Sequence, residues 1–273
     1  MDEKDIRNEL AKLLTSNTGN YNKILELSSK LASFDENNVR FSIDAGVIDR
    51  LGKELVARHE TAVSELVKNA YDADASFSRL YFSNVDNIGG QLIIEDNGNG
   101  MNRQQLINGF MRISSSEKVH NPLSPIYKRK RAGKKGIGRF ATQRLGNILT
   151  IVTQTLANNY ALKISINWDD YAMDKDLNTI SNAIEIVQKE REKGTTLKIH
   201  NLREWWTDAM IKRVYRYAID VIQPFPLSKE DNKNNEKLTD IGFNIECYKD
   251  NVAIADTESM FYDHALAEIV GKV

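Results

Sequence analysis

The sequence predicts an α+β fold, a two-layer sandwich in which helices pack on a mixed β-sheet. Two pairs of apolar or alternating segments are separated by short turn-forming stretches, which is typical of hairpins. Two further segments alternate like strands, and amphipathic helical patterns precede the first hairpin. The hairpin strands are predicted at residues 80–85 with 91–95 and 148–155 with 160–168, and the two further strands at 184–187 and 195–200. An additional strand is predicted at 39–43, and the helices at 3–33, 47–58 and 65–75.

Residues 65–75 form the most informative of these helical patterns. Glu65 and Asn69 are four positions apart and Asp72 follows three positions later, so the three share one side of the helix. An adjoining apolar stripe would pack on the sheet. A carboxylate can polarise a water molecule, and an amide oxygen can bind a hard metal such as Mg²⁺. Alone, the pattern indicates either the floor of a ligand pocket or an ordinary solvated helix face.

A second polar cluster follows a short apolar strand at residues 92–94. This strand leads into Asp96, and the sequence continues with Asn, Gly98, Asn, Gly100 and Met101. Glycines tolerate unusual backbone angles, so an Asp at the end of a buried strand can present its carboxylate to the edge of a ligand. The same residue types also suit a plain hairpin turn.

Two glycine-containing segments complete the set. Residues 133–141 read Gly-Lys-Lys-Gly-Ile-Gly-Arg-Phe-Ala and precede a short helical pattern that ends at Leu145. Exposed backbone amides and a helix N-terminus favour phosphate. Gly194 and Thr195 precede an alternating strand at residues 197–199. Each segment is a weak signal alone, because a glycine-rich loop is often just a turn.

The order and spacing of the four segments are far more specific. Glu-x-x-x-Asn-x-x-Asp-Ala, Asp-x-Gly-x-Gly, Gly-x-x-Gly-x-Gly and Gly-Thr, in that order, resemble the GHKL superfamily of ATPases. This superfamily includes gyrase-type topoisomerase subunits, large heat-shock chaperones, histidine kinases and MutL. The resemblance covers roughly residues 39–201, and the sequence of the first motif, at residues 65–74, is most similar to those of MORC-type and MutL-type ATPases. It implies the Bergerat ATP-binding fold, with ATP and Mg²⁺ as cofactors.

The resemblance also implies roles for individual residues. Glu65 is similar to the general base that activates water, and Asn69 to the Mg²⁺ ligand. Asp96 is similar to the carboxylate that accepts a hydrogen bond from the adenine amino group, with Thr195 supporting it through water. Asp72 would hold either the lid or the purine side. The residues expected to bind the nucleotide are Asn69, Asp72, Asp96, Gly98, Gly100, Met101, Lys134, Lys135, Gly136, Ile137, Gly138, Arg139, Phe140 and Thr195.

The function implied by the resemblance is Mg²⁺-dependent ATP binding and hydrolysis. Hydrolysis would drive lid closure and a conformational change or dimerisation, with DNA or a client protein as candidate partners. One alternative is a nucleotide-gated binding or scaffold protein with negligible turnover. The other is a protein kinase of the histidine-kinase type, which the presence of Glu65 disfavours because such kinases usually lack a dedicated hydrolytic Glu there.

Residues 112–139 are strongly basic, with nine Lys and Arg against one Glu. They contain two Pro and three Gly, which indicates a loop. Three interpretations remain open: a solvated, mobile lid; neutralisation of phosphate by Lys134, Lys135 and Arg139; and a contact with nucleic acid through residues 128–131. A nucleic-acid contact of that kind would be sensitive to salt and indifferent to base sequence.

The composition suits a globular protein, with 41% hydrophobic and 27% charged residues. The single cysteine, Cys247, excludes a disulfide within the chain and is expected in the core. No apolar run reaches the roughly 18 residues that cross a bilayer. The first residues also lack the apolar region of a signal peptide. A cytoplasmic location without a membrane partner is therefore expected.

Three parts are expected along the chain. Residues 1–38 would form an N-terminal helical arm, residues 39–225 the ATP-binding domain, and residues 226–273 a loop and the start of a transducer-like domain. The last part contains a polar stretch at 228–237, a strand pattern at 243–248 and a helical pattern at 260–270. It is too short to complete a transducer domain, so we expect the chain to be either the N-terminal portion of a longer protein or an unusually short member of the family.

Overall fold

The chain folds as α-helices and one large β-sheet, in a computed structural model that describes residues 1–16, 19–38, 42–55, 58–113, 121–132, 140–171, 173–219 and 240–256. The helices are α1 (Glu3–Thr15), α2 (Tyr21–Ala32), α3 (Val47–Leu55), α4 (His59–Asp72), α5 (Arg103–Gln105), α6 (Ala141–Leu145) and α7 (Asp208–Ile219). A π-helical segment, Leu106–Met111, continues α5. The strands are β1 (Phe77–Ser83), β2 (Gln91–Asp96), β3 (Gly146–Gln154), β4 (Tyr160–Asn167), β5 (Ile184–Gln188), β6 (Gly194–Leu202), β7 (Asn244–Lys249) and β8 (Val252–Asp256).

All eight of these strands belong to one sheet in the order β5-β4-β3-β6-β2-β1-β7-β8. Neighbouring strands are antiparallel except β1 and β7, which are parallel, so the sheet is mixed. The predicted α+β class is therefore confirmed. The two predicted hairpins are present as β1 with β2 and β3 with β4.

One face of the sheet is covered by helices. Directly opposite residues in paired strands point to the same face, so Leu80, Ile94, Leu197, Ile151 and Ile164 form one row across five strands. Four of these five side chains are fully buried. The helices α4, α6 and α7 contact the strands of this sheet and close the core. Residues at the alternate strand positions are more exposed, as a single covered face requires.

Helix α4 is the element that carries the first motif, and its apolar spacing fixes its orientation. Buried residues recur at intervals of three and four, which places them on one stripe against α6, α7 and the sheet. Glu60 in its first turn also forms an ion pair with Arg213 of α7, at 2.9 Å. The buried apolar stripe of α4 consists of Ala62, Val63, Leu66, Val67 and Ala70.

The N-terminal residues are helical, as expected. Helix α1 begins after Asp2, whose carboxylate accepts a hydrogen bond from the backbone N–H of Asp5 at 2.8 Å. Helix α2 packs beside α1 and contacts the 3-10 turn Leu177–Thr179. In the part of the chain that the structure describes, no helix is long and apolar enough to cross a membrane.

The C-terminal strands extend the main sheet. Strand β7 confirms the strand pattern expected at 243–248, and Cys247 is fully buried in it, as expected. The division into three domains stays a prediction. The strand expected at residues 39–43 is described only at 42–43, which lie outside the strands. The polar stretch at 228–237 and the helix expected at 260–270 lie outside the described residues.

Candidate functional site

Asp96 ends strand β2 on the helix-covered side of the sheet. It is in register with Ser78, and the preceding pair on that face is Ile94 with Leu80. The Oδ1 atom of Asp96 accepts hydrogen bonds from the backbone N–H of Gly98 at 2.8 Å and of Thr195 at 3.2 Å. Among the described residues no hydrogen bond reaches Oδ2, so this oxygen can accept one from a ligand.

The Asp96 carboxyl is also electrostatically unusual. Burial raises the pKa of Asp96 to about 6, although the two backbone N–H groups and the Arg191 guanidinium oppose that rise. At neutral pH the Asp96 carboxyl is therefore mostly ionised and can accept a hydrogen bond, and mild acid would protonate it. A buried carboxyl with a perturbed pKa at the end of a strand marks a functional-site candidate.

The turn after Asp96 requires glycine. Gly100 has a φ of 64°, and a Cβ there would collide with the carbonyl oxygen of Gln154. A Cβ on Gly98 would lie 2.9 Å from the carbonyl oxygen of Ala73 and 3.0 Å from Asp96 Oδ1. This turn therefore packs directly against the C-terminal end of α4 and, at Gly100, against the end of β3.

A row of hydroxyl side chains flanks Asp96. Ser78 lies on one side in β1, and Thr195 lies on the other in β6, followed by Thr153 in β3. The Thr195 and Thr153 hydroxyls are 3.1 Å apart, and the backbone N–H of Met101 donates to Thr153 Oγ1 at 2.8 Å. The Ser78 hydroxyl is buried without a hydrogen-bond partner among the described residues. Thr195 thus reaches Asp96 through its backbone, while its hydroxyl contacts Thr153.

The polar stripe of α4 lies beside this cluster. Glu65 is one-third exposed and forms a 3.0 Å ion pair with Lys68. Asn69 is half-buried. Because Ala73 touches the turn at Gly98, Asn69 and Glu65 lie roughly 6 and 12 Å further along the helix axis. The arrangement fits an elongated ligand that has one end at Asp96 and the other near Glu65.

Asp72 and Asp74 hold residues 121–132 against the end of α4. Asp72 Oδ1 accepts a hydrogen bond from the backbone N–H of Ala132 at 2.7 Å. Asp74 accepts from the backbone N–H groups of Ile126 at 2.8 Å and Tyr127 at 3.0 Å. Asp72 thus contacts the basic segment, and the choice between the two roles expected for it stays a prediction. Asp74 was not singled out by sequence reasoning, although it belongs to the same motif.

Arg129 corrects one interpretation of the basic segment. Its side chain is 1% exposed and forms an ion pair with Asp240, so Arg129 cannot take part in the nucleic-acid contact that one of the three interpretations assigned to residues 128–131. Its guanidinium also lies over the rings of Tyr71 and Tyr127, at 4.6 and 4.8 Å from their centroids. Arg129 is a structural cation, while Lys128 and Lys130 on either side are exposed.

The predicted phosphate loop is only partly within the described structure. Phe140 is 5% exposed and belongs to the hydrophobic core at the start of α6. A direct contact between Phe140 and a nucleotide stays a prediction. The other expected phosphate-loop residues lie outside the described residues: Lys134, Lys135, Gly136, Ile137, Gly138 and Arg139.

The protein side chains present would fit a metal ion that is held mainly by the phosphates of a bound substrate. Among the described residues, no group of three or more His, Cys, Asp or Glu side chains could form a metal cage. Mg²⁺ is often held by one or two protein oxygens together with substrate phosphates and water. The half-buried amide of Asn69, on the same side of α4 as Glu65, fits such a site.

Comparison of the sequence with protein families finds a match over the region that contains the candidate site. A family model described as "Histidine kinase-, DNA gyrase B-, and HSP90-like ATPase" matches residues 57–195. No curated protein matches the chain. The matched span begins just before α4 and ends at Thr195, so it contains Glu65, Asn69, Asp72 and Asp96.

Proposed function

We propose that this chain, which belongs to the histidine kinase-, DNA gyrase B- and HSP90-like ATPase family, binds ATP with Mg²⁺ and hydrolyses it. Family membership supports ATP binding. Hydrolysis, the metal ion and the roles of single residues belong to the proposal. The observation that carries it is the Asp96 carboxylate, which has two backbone donors on Oδ1 and none on Oδ2 among the described residues.

Adenine recognition would depend on this open oxygen. The exocyclic amino group of adenine donates a hydrogen bond, and Asp96 Oδ2 can accept it. Guanine presents a carbonyl oxygen at the corresponding position, which would face the carboxylate without a proton between them. Burying an unpaired acceptor is costly, so the site would reject GTP. Gly98 and Gly100 would keep the turn packed closely on α4 and β3, which would hold the Asp96 carboxylate in place.

Hydrolysis would take place further along α4. Asn69 would hold Mg²⁺ together with the phosphate oxygens, and the bound ion would neutralise negative charge on the phosphates. Glu65 would orient the attacking water and take up its proton as a general base. Lys68, 3.0 Å from the Glu65 carboxylate, would hold that carboxylate in place between turnovers.

The ion pair between Glu65 and Lys68 also favours a second candidate, a nucleotide-gated binding protein with negligible turnover. A carboxylate that stays paired with an ammonium group is a poor proton acceptor. Phosphate release measured under saturating ATP separates the two candidates. Steady release by wild type above the rate without protein supports hydrolysis, and release no faster than without protein supports the binding protein.

Lid closure and dimerisation would be the output. Residues 121–132 are tied to α4 by Asp72 and Asp74, so the basic segment beyond them would close over the triphosphate from a fixed base. Lys134 and Lys135 would then contact the phosphates. The N-terminal arm could pack on a second copy, because it carries several exposed apolar side chains. These are Leu14, Tyr21, Leu25 and Phe34.

The experiment that tests nucleotide recognition is a comparison of ATP and GTP by titration calorimetry with Mg²⁺ present. We expect ATP to bind at least about 100-fold more tightly, because the site would discriminate through a buried hydrogen bond. Equal affinities for the two nucleotides, or no binding of ATP, would reject the adenine pocket at Asp96.

A further inference from the structure

Arg191 lies behind Asp96, on the sheet face opposite the helices. Its Nη1 atom donates to the backbone carbonyl oxygen of Asp96 at 2.9 Å and is 2.8 Å from a carboxylate oxygen of Glu95. Its Nη2 atom donates to the Thr196 hydroxyl at 2.5 Å. Glu95 and Thr196 are register partners in β2 and β6. One guanidinium therefore joins the ends of these two strands where the site is formed.

Gln154 holds the backbone of Arg191 in turn. Its side-chain Oε1 accepts hydrogen bonds from the backbone N–H groups of Glu190 at 3.1 Å and Arg191 at 3.3 Å. Gln154 is the last residue of β3 and is buried. The loop that presents Arg191 is thus fixed to a third strand. A side chain fixed at both its backbone and its guanidinium can define the position of the strand end it binds.

We propose that Arg191 is a positioning residue for nucleotide recognition: it fixes the end of β2 against β6, and so aims the Asp96 carboxylate, while placing a positive charge behind it. The inference rests on the proposed function, in which Asp96 accepts a hydrogen bond from adenine. Arg191 itself would not touch the nucleotide, because it lies on the other face of the sheet.

The charge of Arg191 has a measurable consequence. Burial raises the pKa of Asp96 to about 6, Arg191 opposes the rise, and the neighbouring Glu95 adds to it. Within the part of the chain that the structure describes, Arg191 and Glu95 are the charged side chains that act on Asp96, and the Gly98 and Thr195 N–H groups also favour its ionised form. Without Arg191, Asp96 would take up a proton at a higher pH. The protonated group is a weaker acceptor, so ATP affinity would begin to fall at a higher pH.

The test measures the dissociation constant of ATP between about pH 5 and pH 8.5, a range that spans the pKa of Asp96. Arg191→Met removes both the charge and the hydrogen bonds, while Arg191→Lys keeps the charge. Arg144→Met is the matched control, because Arg144 has a similarly exposed side chain, 22% against 24%, and a comparable ion pair with Glu204. Titration of the ATP phosphates affects all four proteins equally. It therefore cancels when the dissociation constant of each variant is divided by that of the wild type at the same pH.

We expect the affinity of wild type to fall as the pH decreases through about 6. In Arg191→Met the fall should begin at a higher pH, so near pH 6 this variant binds several-fold more weakly than wild type. Arg191→Lys should keep the wild-type midpoint but bind more weakly at every pH, and Arg144→Met should match wild type. If the pH midpoint of the fall in ATP affinity is the same in Arg191→Met as in wild type, and wild type still binds ATP, this inference is overturned and the proposed function is not. Absence of ATP binding by wild type at every pH would overturn the proposed function and this inference with it.

Discussion

The guanidinium of Arg129 makes two hydrogen bonds to the carboxylate of Asp240, at 2.5 and 2.8 Å, although 111 positions separate the two residues. It also donates to the backbone carbonyl oxygens of Ala75 at 2.6 Å and Gly242 at 2.8 Å. Burial alone would raise the pKa of Asp240, but the hydrogen bonds from Arg129 and Gly242 bring it below its usual value. This one cation joins the base of the lid, the end of α4 and the approach to β7.

We therefore predict that Arg129→Met is strongly destabilising. Methionine fills similar space but removes the donor to two carbonyl oxygens and leaves Asp240 with only the Gly242 N–H. Because the Arg129 side chain is 1% exposed but that of Asp240 is 27% exposed, we expect a loss of roughly 3 kcal/mol, the low end of the range for breaking a buried pair. Urea unfolding at neutral pH measures the loss. The control is Lys163→Met, which breaks an exposed pair with Glu185 and should cost less than about 1 kcal/mol. Equal losses in the two variants would show that Arg129 does not anchor these segments.

A second prediction concerns the chemistry at Glu65. We expect Glu65→Ala to keep ATP binding and to lose most hydrolysis, because a general base typically contributes about 10²- to 10⁴-fold. Phosphate release in single turnover measures the loss, and calorimetry confirms that ATP still binds. Lys68→Met is the informative companion, since it removes the ion-pair partner and leaves the carboxylate. Equal turnover in Glu65→Ala and wild type would remove Glu65 from the mechanism.

A third prediction concerns assembly. We expect a mostly monomeric protein without nucleotide, and a dimer with Mg²⁺ and a non-hydrolysable ATP analogue. The physical reason is that triphosphate would order the basic lid, and an ordered lid would complete a two-fold surface for the N-terminal arm. The Glu65→Ala variant should dimerise with ATP itself. Light scattering measures the mass.

Substitution of exposed apolar residues on the arm tests whether the arm forms the dimer contact. Leu14→Ser and Tyr21→Ser change side chains that are 67% and 74% exposed, so they should weaken the dimer without unfolding the monomer. The same mass with and without nucleotide, in both wild type and Glu65→Ala, would contradict nucleotide-gated dimerisation.

A fourth prediction follows from the burial of Asp96. Its pKa in the folded protein, about 6, lies above the ordinary value of 3.8. The folded state therefore holds more protons than the unfolded state between these two pH values, and this group's contribution to stability falls as the pH rises through that window. Asn cannot ionise, and its Oδ1 can still accept from Gly98 and Thr195. Asp96→Asn should accordingly be more stable than wild type above pH 6, by up to about 3 kcal/mol.

Urea unfolding of the nucleotide-free proteins at two pH values tests this. The advantage of Asp96→Asn should be present near neutral pH and vanish below about pH 4. Other carboxyl groups titrate equally in both proteins and do not affect the difference. A difference that is independent of pH would show that the Asp96 carboxyl is not strained by burial.

The sequence was sufficient to predict the two hairpins of the sheet, because alternating strands and short hairpin turns are local signals. Strands β1 and β2 begin and end within about three residues of their predicted positions. The register between them was not predictable, and it is the register that sets Ser78 beside Asp96. The parallel pairing of β7 with β1 likewise joins segments that are far apart in the chain, so no local pattern indicates it.

The candidate site was predictable where a motif marks it and not elsewhere. Asp96 and Gly98 were found because a strand end followed by glycines is a distinctive pattern. Arg191 was missed because it stands in a polar loop among other charged residues, where nothing distinguishes a fixed Arg from a solvated one. The burial of Arg129 was not predictable for a related reason. A run of cations predicts an exposed surface, and only the fold shows that one of them is buried against Asp240.

The most direct test of the central claim is titration calorimetry of ATP, with Mg²⁺ at neutral pH, against wild type and Asp96→Asn. In the variant the two backbone donors should keep the amide oxygen at the Oδ1 position, so an N–H group would face the adenine amino group in place of Oδ2. We predict a loss of about 10- to 100-fold in affinity, as expected when a hydrogen bond to a charged group is removed. Unchanged affinity in a folded variant would contradict the assignment of Asp96 as the adenine acceptor.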